Sequence, residues 1–390
     1  MTAKKNFLVL VLILALAAIF ASACAENEPA ADDPAQLAQL VEAAIQATAA
    51  DTEEETIPSD APTAELPINP LTGLPVTDPS RLQRKPVFVK VSNFPSIGRP
   101  HAGLSSADIV FDYYIGSGQN RFMAVFYGQD ATQIGPVRSG RRVDAQIVPM
   151  YGGVLGYGSA DADTDAVIVT ALGNYAISHL EGPCPAFCGE DTHSATGVFA
   201  NSAAISEFVD MNGWENNTPD LAGMVFQKTP PENMIPADKL TILFNYYNRG
   251  EWRFDAASGK YLRWIEEIEN YGTLDESMEM IPLVDRNTGE QLAFANIIVI
   301  KAEYDELAPT AHDIRMREND SGRPAFLFRD GGMIAGEWST PNDSDPIRFT
   351  YGDGSPLPLK PGNTWIAIMG INATFYEAEP GVWESFFFLP

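Results

Sequence analysis

Basic charge is what this 390-residue chain has little of: 25 Lys and Arg stand against 52 Asp and Glu, a formal net charge of −27. That balance argues against a general nucleic-acid binder, which needs a basic face. It argues equally against an extended electrostatic hold on anionic lipid. Histidine is sparse, four residues in all, and cysteine sparser still, with three. The words G-x-S-x-G and H-E-x-x-H and the phosphate loop are missing, so no familiar nucleophile or metalloprotease signature is present. There is no repeat of fixed period, and no second apolar run long enough to span a bilayer.

The one long apolar run stands at the N-terminus. "MTAKKNFLVLVLILALAAIFASAC" carries Lys4 and Lys5, an apolar stretch from Phe7 to Phe20, then small residues before Cys24. That order is an export signal. The "ASAC" ending is that of a lipoprotein signal, with cleavage between Ala23 and Cys24 and acylation of Cys24. The competing reading is a retained membrane anchor, for which the run is short of the usual span of about 20 residues. Both readings put the bulk of the chain on the extracytoplasmic face of the cell membrane, tethered to it.

The chain then divides by composition. Residues 1–23 are the signal. Residues 24–67 form an acidic tether rich in Pro, Thr and Ala, with a short helix that Asp33 caps and Pro34 opens. Residues 68–232 alternate β-rich runs ("PVFVKVSN", "ADIVFDYYI", "RFMAVFYG", "YGGVLGYGS") with helically spaced ones ("TDAVIVTALGNYA", "FANSAAISEFVDMNG"). Residues 233–390 carry short strands separated by turn words such as "NTGE", "DGG" and "PGN". The expected class is α+β: an N-terminal α/β domain with a mixed sheet, followed by a mostly-β C-terminal domain.

Within the first domain the scarce positive charge is concentrated. Residues 81–142 hold nine Lys and Arg against Asp108, Asp112 and Asp130, a local balance of +6, and residues 143–227 hold no Lys or Arg. "IGPVRSGRR" alone supplies Arg138, Arg141 and Arg142. Asn93 closes one expected strand, Arg99 follows it, Asp108 and Arg121 open two others, and Arg138 follows "IGPV". Strand ends are where α/β sheets place ligands. Arg99, Arg121, Arg138 and Arg141, with Asn93, therefore form a candidate site for phosphate, sulfate or carboxylate held by bidentate guanidiniums. His101 stands beside the cluster as a further donor. Asp108 is the candidate catalytic group and the candidate ligand of a divalent cation such as magnesium. The competing reading makes Arg121 and Arg138 buried partners of Asp108 and Asp112 that fix strand register.

Two smaller constellations complete the inventory. Cys184 and Cys188, with His179 and His193 nearby, suit either a local disulfide or a zinc site, and export favours the disulfide. Asp161, Asp163 and Asp165 begin like a calcium loop, but Ala166 and Leu172 stand where its Gly and Glu belong, so they are expected to cap a helix starting near Ala166.

"INPLTGLPV", "RPHAGLSSADIVFDYY", "NRFMAVFYG", "IGPVRSGR", "EWRFDAASGKYLR", "NTGEQLAFANIIVI" and "PGNTWIAI" resemble, in order, the YerB-like bacterial lipoprotein family, which has two domains of unknown function. The resemblance covers about residues 68–370 and implies a lipid-anchored extracytoplasmic protein, without implying a reaction. The first domain is also similar, over shorter words, to the LytR-CpsA-Psr glycopolymer transferases. That likeness implies that Asp108, Arg138 and Arg121 handle a polyprenyl pyrophosphate with a divalent metal.

Three functions follow. The first is a lipoprotein that binds an anionic, phosphate-bearing envelope ligand, such as a glycan or lipid-linked phosphate, through an arginine-rich cleft. The second is a metal-assisted phosphotransferase or phosphohydrolase acting on lipid-linked glycans. The third is an envelope adaptor whose arginines are internal partners.

Overall fold

The computed structural model describes residues 66–388 apart from 190–193, 195, 268–278 and 310. The expected signal, Cys24 and almost all of the expected tether lie outside the described residues, as does His193. Residues Glu65–Pro390 form one compact unit. Its described part is α+β and predominantly β, with several sheets.

Strand β1 (Val87–Ser92) is buried at every position. It pairs antiparallel with β3 (Gln119–Phe126), which closes a hairpin with β2 (Ile109–Gly116). Ser117 and Gly118 make the hairpin turn, both with positive φ, the conformation that a two-residue turn between twisted strands requires. On its other side β1 pairs parallel with β4 (Val154–Tyr157), which pairs parallel with β5 (Ala176–Ser178). The helix Ala162–Leu172 connects those last two strands.

These five strands are one end of an eleven-stranded sheet. Beyond β2 come the strands Thr364–Gly370, Asn296–Ala302, Asn319–Arg329, Gly332–Thr340 and Arg348–Thr350. The strand Thr364–Gly370 pairs parallel with both β2 and Asn296–Ala302. The sheet therefore runs without a break across the expected boundary at residue 232. The reason is visible in "TWIAIMG", where all seven residues are buried: a continuous apolar run of this kind belongs inside a sheet covered on both faces.

Alternate residues of each strand project to opposite faces. One face receives the helix Asp144–Met150, whose following residue Tyr151 packs its ring on Phe88 and Phe111. The other receives a seven-stranded sheet whose long strands are Lys239–Asn245, Asn248–Asp255 and Lys260–Glu266. Trp365, Trp252, Phe122 and Phe294 interlock between the two sheets with ring centroids 4.9–5.7 Å apart. These are called below the helix face and the sheet face.

The helices Ala162–Leu172 and Ser202–Met211 fall in the two runs of helical spacing. Asp161 caps the first by accepting from the Thr164 N–H at 3.0 Å, so the helix begins four residues earlier than expected. The helix Asp144–Met150 was not expected. Its signal is Val143, Ile147 and Met150, a short buried stripe at helical spacing that Pro149 interrupts.

Candidate functional site

The residues expected to converge fall into three separate places. Asp108 lies at the start of β2, where its N–H donates to Val125 O. Its Oδ2 accepts from the Tyr127 and Gly128 N–H groups at 2.7 and 2.8 Å. Burial pushes this carboxyl up to about 6, although those hydrogen bonds pull it down. Arg121 sits four residues from Val125 along β3, about 13 Å at some 3.3 Å per residue. The expectation that Asp108 works with Arg121 as catalyst or metal ligand is thus corrected. Asp108 clamps one end of the hairpin, while Arg121 belongs to the other.

Asn93 and Arg99 lie on the sheet face. Arg99 donates from Nη2 to Glu266 Oε1 at 2.8 Å, from Nη1 to Glu266 O at 3.0 Å and from Nε to Asn93 Oδ1 at 3.1 Å, and it lies over the Phe94 ring. Asn93 passes the chain on, donating to Asn120 Oδ1 at 2.6 Å; Asn120 donates to Asp112 Oδ1 at 2.5 Å. Burial pushes Asp112 up to about 7, against the pull of Arg263. Arg263 is itself buried over Trp252 and Trp365, and burial pushes it down to about 10. The anion that Arg99 was expected to await is Glu266, supplied by the other half of the chain. His101 is also here, edge-on to Phe122 and on the opposite face from Lys90, with its pKa driven down to about 3 by burial and by Arg99, so the ring is neutral.

The helix face holds the rest. The row Ser92–Arg121–Tyr113 runs across the three strands, next to the row that contains Lys90. Arg121 donates to Phe94 O and Asn120 O. Lys90 is fully buried and binds Asp144 Oδ1 at 2.9 Å and the Tyr113 hydroxyl. Tyr113 donates to the same Asp144 Oδ1 at 2.5 Å, and Asp144 Oδ2 accepts from the Arg141 N–H at 2.7 Å. Sequence reasoning missed Lys90, Tyr113 and Asp144. The signal for Lys90 was a charge inside the apolar run "VFVKVS", where both neighbours are valines.

Arg138 and Arg141 lie at the carboxyl ends of β1 and β4. Arg138 N–H donates to Lys90 O and its carbonyl accepts from Gly158 N–H, which extends the β1–β4 pairing into "RSG". Gly140 lies against the Ile168 side chain, whose end would have to shift for a Cβ there, 2.6 Å from its Cδ1. Arg141 donates to Gly140 O at 2.8 Å and feels the charges of Asp144 and Asp161. Arg138 is half-buried and its Nε has no hydrogen-bond partner among the described residues. Burial and the charge of Arg141 both push its pKa down, and no carboxylate counters them. Arg142 is held separately, 4.0 Å from Asp313.

Two family models match the chain: the N-terminal domain of DUF3048, described as a protein of unknown function, over residues 71–215, and its C-terminal domain over residues 240–366. The chain belongs to the DUF3048 family. A relative is the Bacillus subtilis (strain 168) protein named "Putative lipoprotein YerB", 25% identical over 305 residues, covering 77% of this chain and 85% of that protein. The crystal structure of the B. subtilis YerB protein is similar with a TM-score of 0.61 at 25% identity, covering 78% of this chain and 96% of that one. Arg138 and Arg141 lie within the N-terminal DUF3048 match, whereas the Arg99–Glu266 pair joins the two matches.

The remaining groups are accounted for locally. Cys184 and Cys188 are joined in a disulfide, which uses both thiols that the zinc reading required. Asp165 accepts from the Tyr157 hydroxyl. Among the described residues no three His, Cys, Asp or Glu side chains gather as a metal site, and no helix is long and apolar enough to cross a membrane.

Proposed function

We propose that this chain is a lipoprotein, anchored through Cys24 on the extracytoplasmic face of the cell membrane, that captures a phosphate-bearing anion between Arg138 and Arg141. The observation that carries the reading is Arg138. A half-buried guanidinium beside a second one, with no carboxylate of its own among the described residues, is costly until an anion joins it. Its position suits the task, since ligands of sheets with parallel strands sit beyond the carboxyl ends of those strands. Two guanidiniums at one strand end can grip two oxygens of a phosphate, or the two phosphoryl groups of a diphosphate. Asn93, Arg99, Arg121 and Asp108 play no direct part in this reading. The anchor is supported by the signal pattern and by the name of the B. subtilis relative.

Titration calorimetry with inorganic pyrophosphate tests the site. Arg138→Lys keeps the charge, loses the planar fork, and weakens binding by about 1.5–3 kcal/mol. Equal binding by the wild type and by an Arg138→Ala, Arg141→Ala double variant excludes the site. Mass spectrometry of the mature N-terminus tests the anchor, and an intact signal with unmodified Cys24 excludes it.

A further inference from the structure

Beneath Arg141 lies a charge arrangement that anion capture alone does not require. The Asp144 carboxylate is shared between three donors: Lys90 and Tyr113 on Oδ1, and the Arg141 N–H on Oδ2. Lys90 and Asp144 have no exposed side-chain surface, so they interact in a medium far less polar than water. We infer that Lys90, Tyr113 and Asp144 couple the anion site to a proton: an anion bound at Arg138 and Arg141 draws a proton onto Lys90. This inference rests on the anion-capture reading above.

The charges facing Lys90 come from every element around it. Asp144, at the start of the helix, and Arg141, just before it, lie on one side. Tyr113 comes from β2 and Arg121 from β3. Tyr157 from β4 lies within the field of Asp144 and is hydrogen-bonded to Asp165. Two cations, Lys90 and Arg141, therefore meet at one carboxylate, with Arg121 also bearing on Lys90 and Asp161 on Arg141. Arginine does not give up its proton near neutral pH, so Lys90 is the cation that can relieve the crowding. Burial first, and then Arg141 and Arg121, lower its pKa to about 8, although Asp144 holds it up. An anion placed at Arg141 offsets that guanidinium's field and restores the Lys90 proton. By linkage, protonating Lys90 then tightens anion binding by the same factor.

The sign follows from a folded-state pKa near 8 without ligand and a higher one with it. Below pH 7 Lys90 is charged in both states and no proton is exchanged. Above pH 8 binding takes up a proton and weakens as pH rises.

Sulfate is the probe, because it does not titrate between pH 6 and 10. Calorimetry of the full chain with sulfate in Tris and in triethanolamine, which differ in ionisation enthalpy, counts protons without any variant. The expected result is uptake of about half a proton per sulfate at pH 8.5 and none at pH 6.5. Sulfate binding with no uptake at pH 8.5 overturns the coupling and leaves anion capture standing. No binding of sulfate or pyrophosphate at either pH overturns anion capture, and the coupling with it. Lys90→Met, checked for folding by its melting curve, should bind sulfate without uptake. Uptake that persists in the folded variant assigns the proton to another group and overturns the role of Lys90. Where that variant does not fold, Tyr113→Phe keeps both charges and should reduce the uptake. Unchanged uptake there removes Tyr113 from the coupling.

Discussion

On the sheet face, Arg99 and Arg263 face Glu266 and Asp112 and lie over Phe94, Trp252 and Trp365. On the helix face, Lys90 and Arg141 share Asp144, and Arg138 has no acid of its own among the described residues. Apart from Arg263, the cations of both sets come from the basic stretch 81–142. The sheet-face acid Glu266 comes from the C-terminal DUF3048 domain, whereas the helix-face acid Asp144 comes from the same half as its cations. Where charges are matched across the two halves, the arginines hold the halves together. Arg138, which has no acid of its own among the described residues, is the group on which the anion-capture proposal rests.

Breaking the matched face should produce the largest effect. Glu266→Ala leaves the part-buried Arg99 without its carboxylate and strips the acceptor of the Arg249 N–H. Urea unfolding should show a loss of about 3–5 kcal/mol, as for the removal of one partner from a buried ion pair. A loss below about 1 kcal/mol, the range of surface pairs, would contradict a matched, desolvated face.

The pH dependence of stability sharpens the same contrast. Burial raises Asp112 from 3.8 in the unfolded chain to about 7 when folded. Between those values the folded state binds more protons than the unfolded one. The contribution of Asp112 is therefore present below about pH 4 and is lost as pH rises to 7, with a slope of at most about 1.4 kcal/mol per pH unit. Asp112→Asn should flatten the stability curve between pH 5 and 7 relative to the wild type. Parallel curves would remove Asp112 from the account.

The smallest effect on folding is expected at the surplus face. Arg138→Ala removes a guanidinium that Arg141 repels and no carboxylate holds. Its unfolding free energy should fall no more than about 0.5 kcal/mol below that of the wild type. A loss as large as that of Glu266→Ala would make Arg138 a structural partner and abolish the difference between the faces.

What the sequence determined by itself is local. Apolar runs of strand length, two helical stripes, the turn words between strands and the family motifs are all read from neighbours along the chain. So is the basic stretch, because counting charge needs no coordinates. What only the tertiary structure decided is which charge meets which. Strand pleating sends Lys90 and Ser92 to one face and Val91 to the other, so a cluster in sequence divides into two in space. The insertion of Thr364–Gly370 beside β2 depends on pairing between residues more than 250 positions apart. The apolar run "TWIAIMG" marks a strand buried on both faces, but no local pattern encodes which strands flank it. Arg99 looked free because its partner, Glu266, lies 167 residues away. Arg138 stands apart for the same reason in reverse: the fold brings no acid among the described residues to its side.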